Sequence, residues 1–425
     1  MSDTIFALSS GSPPAAIAVV RISGPAAATA LTALGGTLPQ PRRASYRPLR
    51  DADGAILDQA LVLWFPGANT ATGEDLAELH LHGGRAVVAA IEAALLGVAG
   101  LRRAVPGEFT RRAFANGRID LAEAEGLADL LSAETELQRK SALAMAGGAF
   151  SRQVEQWRDR VLSASAAVEA VLDFGDEDDV SDLPADFLTR LNDLGRELRL
   201  WLERPRAETL REGYRVILAG PPNAGKSTLF NALVEDEAAI TSPQAGTTRD
   251  VLTRPVSIGG MPFLFGDTAG LREETGDEIE AIGISRALAE VGKADLVLWL
   301  GPEGEGPEGA WEISAQADLF HVEHKQRPRH RVSAVTGVGL DALRNDLIAT
   351  ASSAMPRPGD AALNRRQYAL VAEAEHAIGA ATRERDPLLV AEALRLARVS
   401  FDALIGRATT EDMLDALFGR FCIGK

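Results

Sequence analysis

The chain has 425 residues, 46% of them hydrophobic and 24% charged, with a formal net charge of −16. That length suits two or three domains with separate cores, and the composition is that of a soluble globular protein. The acidic balance argues against a broad basic nucleic-acid footprint and leaves room only for a local patch. A single cysteine, Cys422, excludes an internal disulfide framework and suits a reducing cytosol, so a cytoplasmic location is expected. Met1-Ser2-Asp3-Thr4 lacks a basic region leading into a long apolar run, so no signal peptide is expected. Val87 to Leu101 is apolar but broken by Glu92 and glycines, and is too short to cross a bilayer; no membrane partner is expected.

Taken in order, residues 1–116 read as a mixed α+β domain. Ile17 to Ile22 is a strand candidate closed by Ser23-Gly24-Pro25. Ala60 to Phe65 is a second, and Glu78 to His82 alternates up to Gly83-Gly84. Ala86 to Leu96 reads as a helix, one of one or two expected here. From Gly117 the character changes. Leu121 to Met145, Phe150 to Leu172 and Phe187 to Leu210 carry apolar residues at helical spacing, with an acidic break at 173–179. The broad stripe favours a bundle over a coiled coil. Asn364 to Ile405 is helical again. Residues 117–210 and 351–425 thus form one split helical domain, and 211–350 an inserted α/β domain.

The inserted part carries the strongest motif. Gly220-Pro221-Pro222-Asn223-Ala224-Gly225-Lys226-Ser227 has the form G-x-x-x-x-G-K-[ST]. The apolar run Tyr214 to Ala219 reads as a strand leading into it, and Thr228 to Leu233 as a helix leading out. Strand, glycine loop and helix together aim backbone N–H groups and a helix N-terminus at a phosphate. Lys226 then neutralises the β- and γ-phosphates, Ala224, Gly225 and Thr228 line them, and the Ser227 hydroxyl ligates Mg²⁺. Downstream lie Gly246-Thr247-Thr248-Arg249-Asp250, whose threonines can sense the γ-phosphate, and a strand, Met261 to Phe265, ending in Asp267-Thr268-Ala269-Gly270. In this order the three motifs indicate a GTPase. Ser333-Ala334 fits the late loop that touches the guanine carbonyl.

Other features set it apart from a simple switch. Leu271 stands where many GTPases carry a water-orienting glutamine. Asn223 is either a turn-former or a ligand for a monovalent cation. At the base-reading position stands Ala315-Gln316-Ala317-Asp318 in place of N-K-x-D; Asp318 can still accept from the guanine ring N–H and amino group. Gly301 to Ala310 is too short for the usual crossover helix between parallel strands, so that helix is expected to be missing.

The chain resembles the MnmE (TrmE) family of tRNA wobble-uridine modification GTPases over essentially its whole length. The resemblance rests on Val20-Arg21-Ile22-Ser23-Gly24-Pro25, Thr72-Gly73-Glu74-Asp75, His82-Gly83-Gly84, Pro106-Gly107-Glu108-Phe109-Thr110, the phosphate loop, the 246–250 run, Asp267 to Leu271 with Arg272-Glu273, and the terminal Phe421-Cys422-Ile423-Gly424-Lys425. It implies a folate-binding N-terminal domain that dimerises, a split helical domain and an inserted GTPase domain. It also implies a homodimer that works with the flavoprotein MnmG. Together they build a carboxymethylaminomethyl group on the wobble uridine of tRNA with a folate one-carbon unit.

Residue by residue, the resemblance assigns a tetrahydrofolate derivative to Arg21, Glu78, Arg118 and Lys425. It assigns K⁺ to Asn223, Ser242, Gln244 and Thr247, Mg²⁺ to Ser227 and Thr248, water positioning to Glu280 and a part in the modification to Cys422. Taken alone, Arg21 reads as a strand-end surface charge and Cys422 as a buried small side chain. Two rival readings stay open: a GTP-binding regulatory switch, and a scaffold whose base recognition has degenerated.

Overall fold

A computed structural model describes residues 3–174, 183–234, 253–267, 292–319, 324–408 and 410–424. By internal contacts the chain divides into two compact units. One joins Met1–Ala128, Ser151–Arg158 and Phe401–Lys425; the other joins Asp129–Phe150 and Asp159–Ser400. Stretches expected to form the helical domain occur in both.

The first unit is built on a mixed sheet of β1 (Thr4–Leu8), β2 (Ile17–Ser23), β3 (Ser45–Arg50), β4 (Ile56–Phe65), β5 (Leu76–His82) and β6 (Leu101–Arg103), in the order β3-β4-β5-β2-β1-β6. One face packs on α1 (Ala27–Gly35) and α2 (Arg85–Leu96), with Val20, Ile22, Leu79, Leu81, Leu31 and Ile91 in the core. These are the even positions of β2 and the odd ones of β5, as strand alternation requires. The other face carries Arg21 opposite Glu78 in the β2–β5 register.

Helix α3 (Glu108–Ala115) follows a left-handed Gly107 (φ 69°), and α4 (Leu121–Leu131) follows α3. The chain's last described helix, α13 (Glu411–Phe418), packs Phe418 against Phe114 of α3. With Phe421, Leu121 and Leu414 they form a small apolar cluster. The C-terminal segment is therefore part of the same unit as the N-terminal sheet. Arg112 of α3 is fully buried there, bound to Asp3, Glu74 and Glu108.

The second unit holds a six-stranded sheet of β7 (Tyr214–Ala219), β8 (Thr253–Ile258), β9 (Met261–Asp267), β10 (Leu296–Trp299), β11 (Trp311–Ser314) and β12 (His330–Arg331), ordered β12-β11-β10-β7-β9-β8. All neighbours run parallel except β8, which pairs antiparallel with β9. The expected strands at 214–219 and 261–265 are β7 and β9. Helix α9 (Lys226–Val234) leaves the phosphate loop, and α10 (Leu340–Ala354) follows β12.

The same unit holds α5 (Glu136–Ala146), most of α6 (Ala149–Phe174), whose residues 151–158 belong to the other unit, α7 (Phe187–Leu202), α8 (Ala207–Glu212), α11 (Arg365–Arg383) and most of α12 (Pro387–Leu404), whose residues 401–404 belong to the other unit. Several helices expected as single runs are broken where a cap intervenes. Thr135 and Gln138 form a reciprocal capping box that starts α5, and Pro387 opens α12.

The connection from β10 to β11 contains no helix, as its length implied. Instead it folds over Trp299, whose indole N–H donates to the Pro302 carbonyl (2.8 Å). Gly301 and Gly306 lie so close to that ring that a Cβ on either would come within 2.7 Å of it. The Glu312 carboxylate accepts from the Gly304 N–H, and Glu303 from the N–H groups of Gln326 and Arg327.

Candidate functional site

Strand β7 is a buried central strand flanked on both sides by parallel neighbours, so its C-terminal end opens at a crevice of the sheet. The phosphate loop begins there. Gly225 has φ 86°, a left-handed value that only glycine adopts without strain, and Asn223 adopts φ 63° despite its side chain. The turn delivers Lys226 to the first position of α9, where it is 6% exposed. Its amine donates to the Pro221 carbonyl across the loop at 2.7 Å. Asn223, Ser227 and Thr228 are exposed around it, and Ala224 and Gly225 are half-buried.

Beside the loop stands the 315–318 segment, expected from the sequence to read the base. Asp318 accepts a hydrogen bond from the Ser333 hydroxyl at 2.6 Å, and the same oxygen of Ser333 accepts from the Thr336 N–H. The Ala317 N–H donates to the Val332 carbonyl, so the 315–318 and 333–336 loops are bound into one wall. His324 brackets the first of these loops: its ring nitrogens meet the Ser314 hydroxyl (3.3 Å) and the Leu319 carbonyl (3.1 Å). A cavity of about 600 Å³ lies between α9 and the second loop, lined by Ser227, Thr228, Asn231, Ala334, Thr336 and Leu340 among others.

The structure thus brings together Asn223, Ala224, Gly225, Lys226, Ser227, Thr228, Asp318, Ser333 and Ala334. The backbone of Asp267 ends β9 next to β7, with Leu218 opposite Asp267 in the register. Ser242, Gln244, Thr247, Thr248, Thr268, Ala269, Gly270, Leu271 and Glu280 lie outside the described residues.

In the first unit, the Arg21 guanidinium donates to the Glu78 carboxylate at 2.9 Å, and His80 meets the other oxygen of Glu78 at 3.2 Å. Burial alone would raise the Glu78 carboxyl; the bonds from Arg21 and His80 outweigh it and hold the group below its usual range. Arg21 is therefore not a strand-end surface charge but a half-buried, paired group within β2.

Ser23, two residues further along that face of β2, shares a 2.7 Å hydrogen bond with Thr72 of the 72–75 turn. Arg118 is exposed and lies against that same turn, its Cγ 3.0 Å from where a Gly73 Cβ would be. At the other end of the segment Gly424 packs on the Leu8 carbonyl so closely that a Cβ there would sit 2.1 Å from it. Leu8 pairs with Val20, the neighbour of Arg21. Lys425 itself lies outside the described residues.

Cys422 is exposed, not buried as its residue type alone suggests, and its carbonyl accepts from the Gly107 N–H at 3.5 Å. The residues that sequence reasoning passed over are His80, His324 and the Asp3–Arg102–Glu108–Arg112–Glu74 network. Only the network left a trace, in the 72–75 and 106–110 motifs.

Two family models match the chain. The model of the GTP-binding protein TrmE N-terminus matches residues 4–118, and that of the MnmE helical domain matches residues 121–422. The chain is 63% identical over 437 residues to the tRNA modification GTPase MnmE of Novosphingobium aromaticivorans, covering 100% of both chains. It is 64% identical over 423 residues to the tRNA modification GTPase MnmE of Erythrobacter litoralis, again covering 100% of both. This chain belongs to the MnmE family.

Its architecture follows that family: an α+β N-terminal domain, a helical domain split along the sequence and an inserted α/β phosphate-loop domain. Among solved structures, the G domain of the T. maritima FeoB iron transporter aligns with 32% of this chain and 98% of its own, at 25% identity and a TM-score of 0.22, too slight a likeness to bear weight. The phosphate loop has the complete G-x-x-x-x-G-K-[ST] pattern, whereas residues 315–318 read Ala-Gln-Ala-Asp in place of N-K-x-D. Among the described residues no helix is long and apolar enough to cross a membrane.

Proposed function

We propose that this protein hydrolyses GTP in the modification of the wobble uridine, position 34, of tRNA. It acts as a homodimer with the flavoprotein MnmG, adding a carboxymethylaminomethyl group that takes one carbon from a tetrahydrofolate derivative. One conjunction supports the reading: full-length identity above 60% to tRNA modification GTPases, in a chain whose phosphate loop is formed and flanked by an oriented carboxylate.

The triphosphate enters against the backbone N–H groups of residues 223–227 and the N-terminus of α9. Lys226 then exchanges the Pro221 carbonyl for a phosphate oxygen, a stronger charge-assisted bond. The exposed Ser227 hydroxyl, with Thr248, is the fitting donor for Mg²⁺, which supplies charge neutralisation on the phosphates when bound. Exposed Asn223, with Ser242, Gln244 and Thr247, offers oxygen donors that suit K⁺. Asp318, held by Ser333, accepts from the guanine N–H groups, and the Ala334 loop meets the carbonyl. Glu280 positions the attacking water.

In the N-terminal unit, Arg21 and Glu78 place a cation and a carboxylate side by side on a half-open sheet face. Such a pair suits a folate, whose ring presents amino and N–H donors and whose tail is anionic. Arg118 and Lys425 add cations for that tail. Exposed Cys422 takes part in the modification near this site.

The test is GTP turnover in K⁺ and in Na⁺, followed by mass spectrometry of position 34 in tRNA from cells lacking the protein. Fast turnover in K⁺ alone and loss of the modified uridine are expected. Equal, slow rates in both salts overturn the cation assignment, and unchanged tRNA overturns the modification reading. The second reading, a scaffold with degenerate base recognition, is favoured by Ala315, which has no amide to read the base. Competition of GTP against ATP and XTP separates the two: a preference for GTP below tenfold, about 1.4 kcal/mol, favours the scaffold.

A further inference from the structure

Charge is unevenly spread along this acidic chain. Residues 4–50 hold five arginines and no aspartate, glutamate or lysine, against a net charge of −16 for the whole. Arg21 pairs with Glu78. The other four, Arg42, Arg43, Arg47 and Arg50, gather along β3 and the turn before it, at the edge of the first unit's sheet. Neutral acceptors hold each guanidinium. Arg42 donates to the Asn69 carbonyl (2.6 Å), Arg43 to the Gln40 amide oxygen (3.0 Å), Arg47 to the Ser45 hydroxyl (2.9 Å) and the Thr37 carbonyl, and Arg50 to the Gly54 carbonyl (2.8 Å). None of the four takes part in an ion pair among the described residues. Neutral partners fix where a guanidinium points but leave its charge uncancelled and several of its five donors open. Arg42 is fixed further: its N–H donates to the Trp64 carbonyl, and its guanidinium lies 5.7 Å from the centroid of the Phe65 ring. The first acids beyond the run, Asp51 and Asp53, lie in the turn after Arg50, where Asp51 accepts from the Asp53 and Ala55 N–H groups.

Among these cations stands Tyr46, 68% exposed, its hydroxyl donating to the Gln59 amide oxygen at 2.8 Å. Strand alternation puts Tyr46 and Arg47 on opposite faces of β3, but β3 ends the sheet, so a chain laid along it reaches both faces. The strand's six residues extend over roughly 20 Å, the length of several nucleotides. We propose that this edge, Arg42, Arg43, Arg47 and Arg50 with Tyr46, is an RNA-binding strip. The guanidiniums take successive phosphates, and the tyrosine ring stacks on a base. A linear array with an aromatic inside it fits a strand of phosphodiesters better than the plane of headgroups that a membrane offers. The strip rests on the tRNA reading above only for which RNA it meets.

The experiment is binding of a labelled, unmodified tRNA transcript to the full-length protein, followed by fluorescence anisotropy over a range of KCl concentrations. It compares the wild type with a triple variant, Arg43→Gln, Arg47→Gln and Arg50→Gln, and with the matching triple lysine variant. Vesicles of phosphatidylcholine with phosphatidylserine are the second probe. The glutamine variant is expected to bind tRNA about tenfold more weakly at low salt, with a slope of log K against log salt shallower by about two. The lysine variant keeps the wild-type slope, and GTP turnover without tRNA is the same in all three. Unchanged affinity and slope in the glutamine variant overturn the strip. So does a lysine variant as weak as the glutamine one, which would make these residues supports of the fold. So does a wild type that binds the anionic vesicles and no tRNA. Unchanged position 34 in cells lacking the protein sinks the tRNA reading alone, and loss of slope in the glutamine variant then still establishes an RNA-binding edge.

Discussion

Replacing Asp318 by asparagine changes one atom of the base site and leaves its frame in place. Ser333 donates to one carboxylate oxygen of Asp318 at 2.6 Å, and an asparagine carbonyl can accept the same bond. An ionised carboxylate offers roughly four lone-pair positions; Ser333 uses one, so the second oxygen is free to take the ring N–H and amino group of guanine. Hydrogen bonds to a charged group contribute about 1.5–3 kcal/mol each. Losing two, with an NH₂ now facing N–H donors, costs about 3–6 kcal/mol, or about 10²–10⁴ in kcat/KM for GTP. Xanthine presents a carbonyl where guanine has its amino group, and the new NH₂ can donate to it. Asp318→Asn should therefore lose GTP turnover by that factor and gain XTP turnover over the wild type. Steady-state kinetics with both nucleotides measures it. Equal loss toward GTP and XTP, or no loss toward either, would refute the assignment of Asp318 as the base reader.

Three other outcomes follow from the geometry. Lys226→Met removes the amine from a side chain that is 6% exposed, and should weaken GTP at least 100-fold in calorimetric titration while the thermal midpoint stays within a few degrees. Gly107→Ala puts a methyl 2.1 Å from the Phe418 carbonyl at a residue with φ 69°, and left-handed alanine alone costs about 1–2 kcal/mol. The first unit should lose at least that much stability in denaturant titration, and proteolysis should cut the C-terminal segment sooner.

Stability of the first unit should also fall in acid. Burial opposes ionisation of Glu108, but Arg102, the Val105 N–H and Arg112 outweigh it, while Arg102 holds Asp3 down more directly. Both carboxyls thus lie below their unfolded values of 4.5 and 3.8. Their contribution is complete above those values and is lost as pH falls through the lower folded ones, so unfolding followed by circular dichroism should steepen below about pH 4.

The N-terminal domain was legible where its strands alternate and obscure where they do not. β5 alternates apolar and polar residues from Ala77 to His82, and β2 buries Ala18, Val20 and Ile22 on one face, so period two shows. β1 has four buried residues in succession and thus no alternation to detect. β3 ends the sheet and contains Pro48, which an edge strand tolerates because one side of its ladder is unpaired. Helix α3 is eight residues long and half of them are polar, yet Arg112 and Glu108 are buried in a charge network with Asp3 and Glu74. Those partners are more than thirty positions away, apart from Glu108, and no local pattern announces them. The phosphate loop was legible because its pattern is local: eight consecutive residues make the turn that joins β7 to α9.

The 315–318 loop shows the opposite case, because the groups that hold it come from the connection between β10 and β11 and from residues 324–327. In a parallel pair the return connection normally packs a helix on the sheet; here Gly301 to Ala310 lays its backbone on the Trp299 ring, which glycine alone permits at positions 301 and 306. The turn is held from β11 by Glu312, which also pairs with the nearly buried Lys325, and Lys325 donates in turn to the Trp299 carbonyl at 2.6 Å. Residues just past that lysine then anchor on Glu303 of the same turn. His324, its neighbour, brackets the 315–319 loop between Ser314 and Leu319. The 315–319 loop is therefore tied to the shortened crossover through Lys325 and His324.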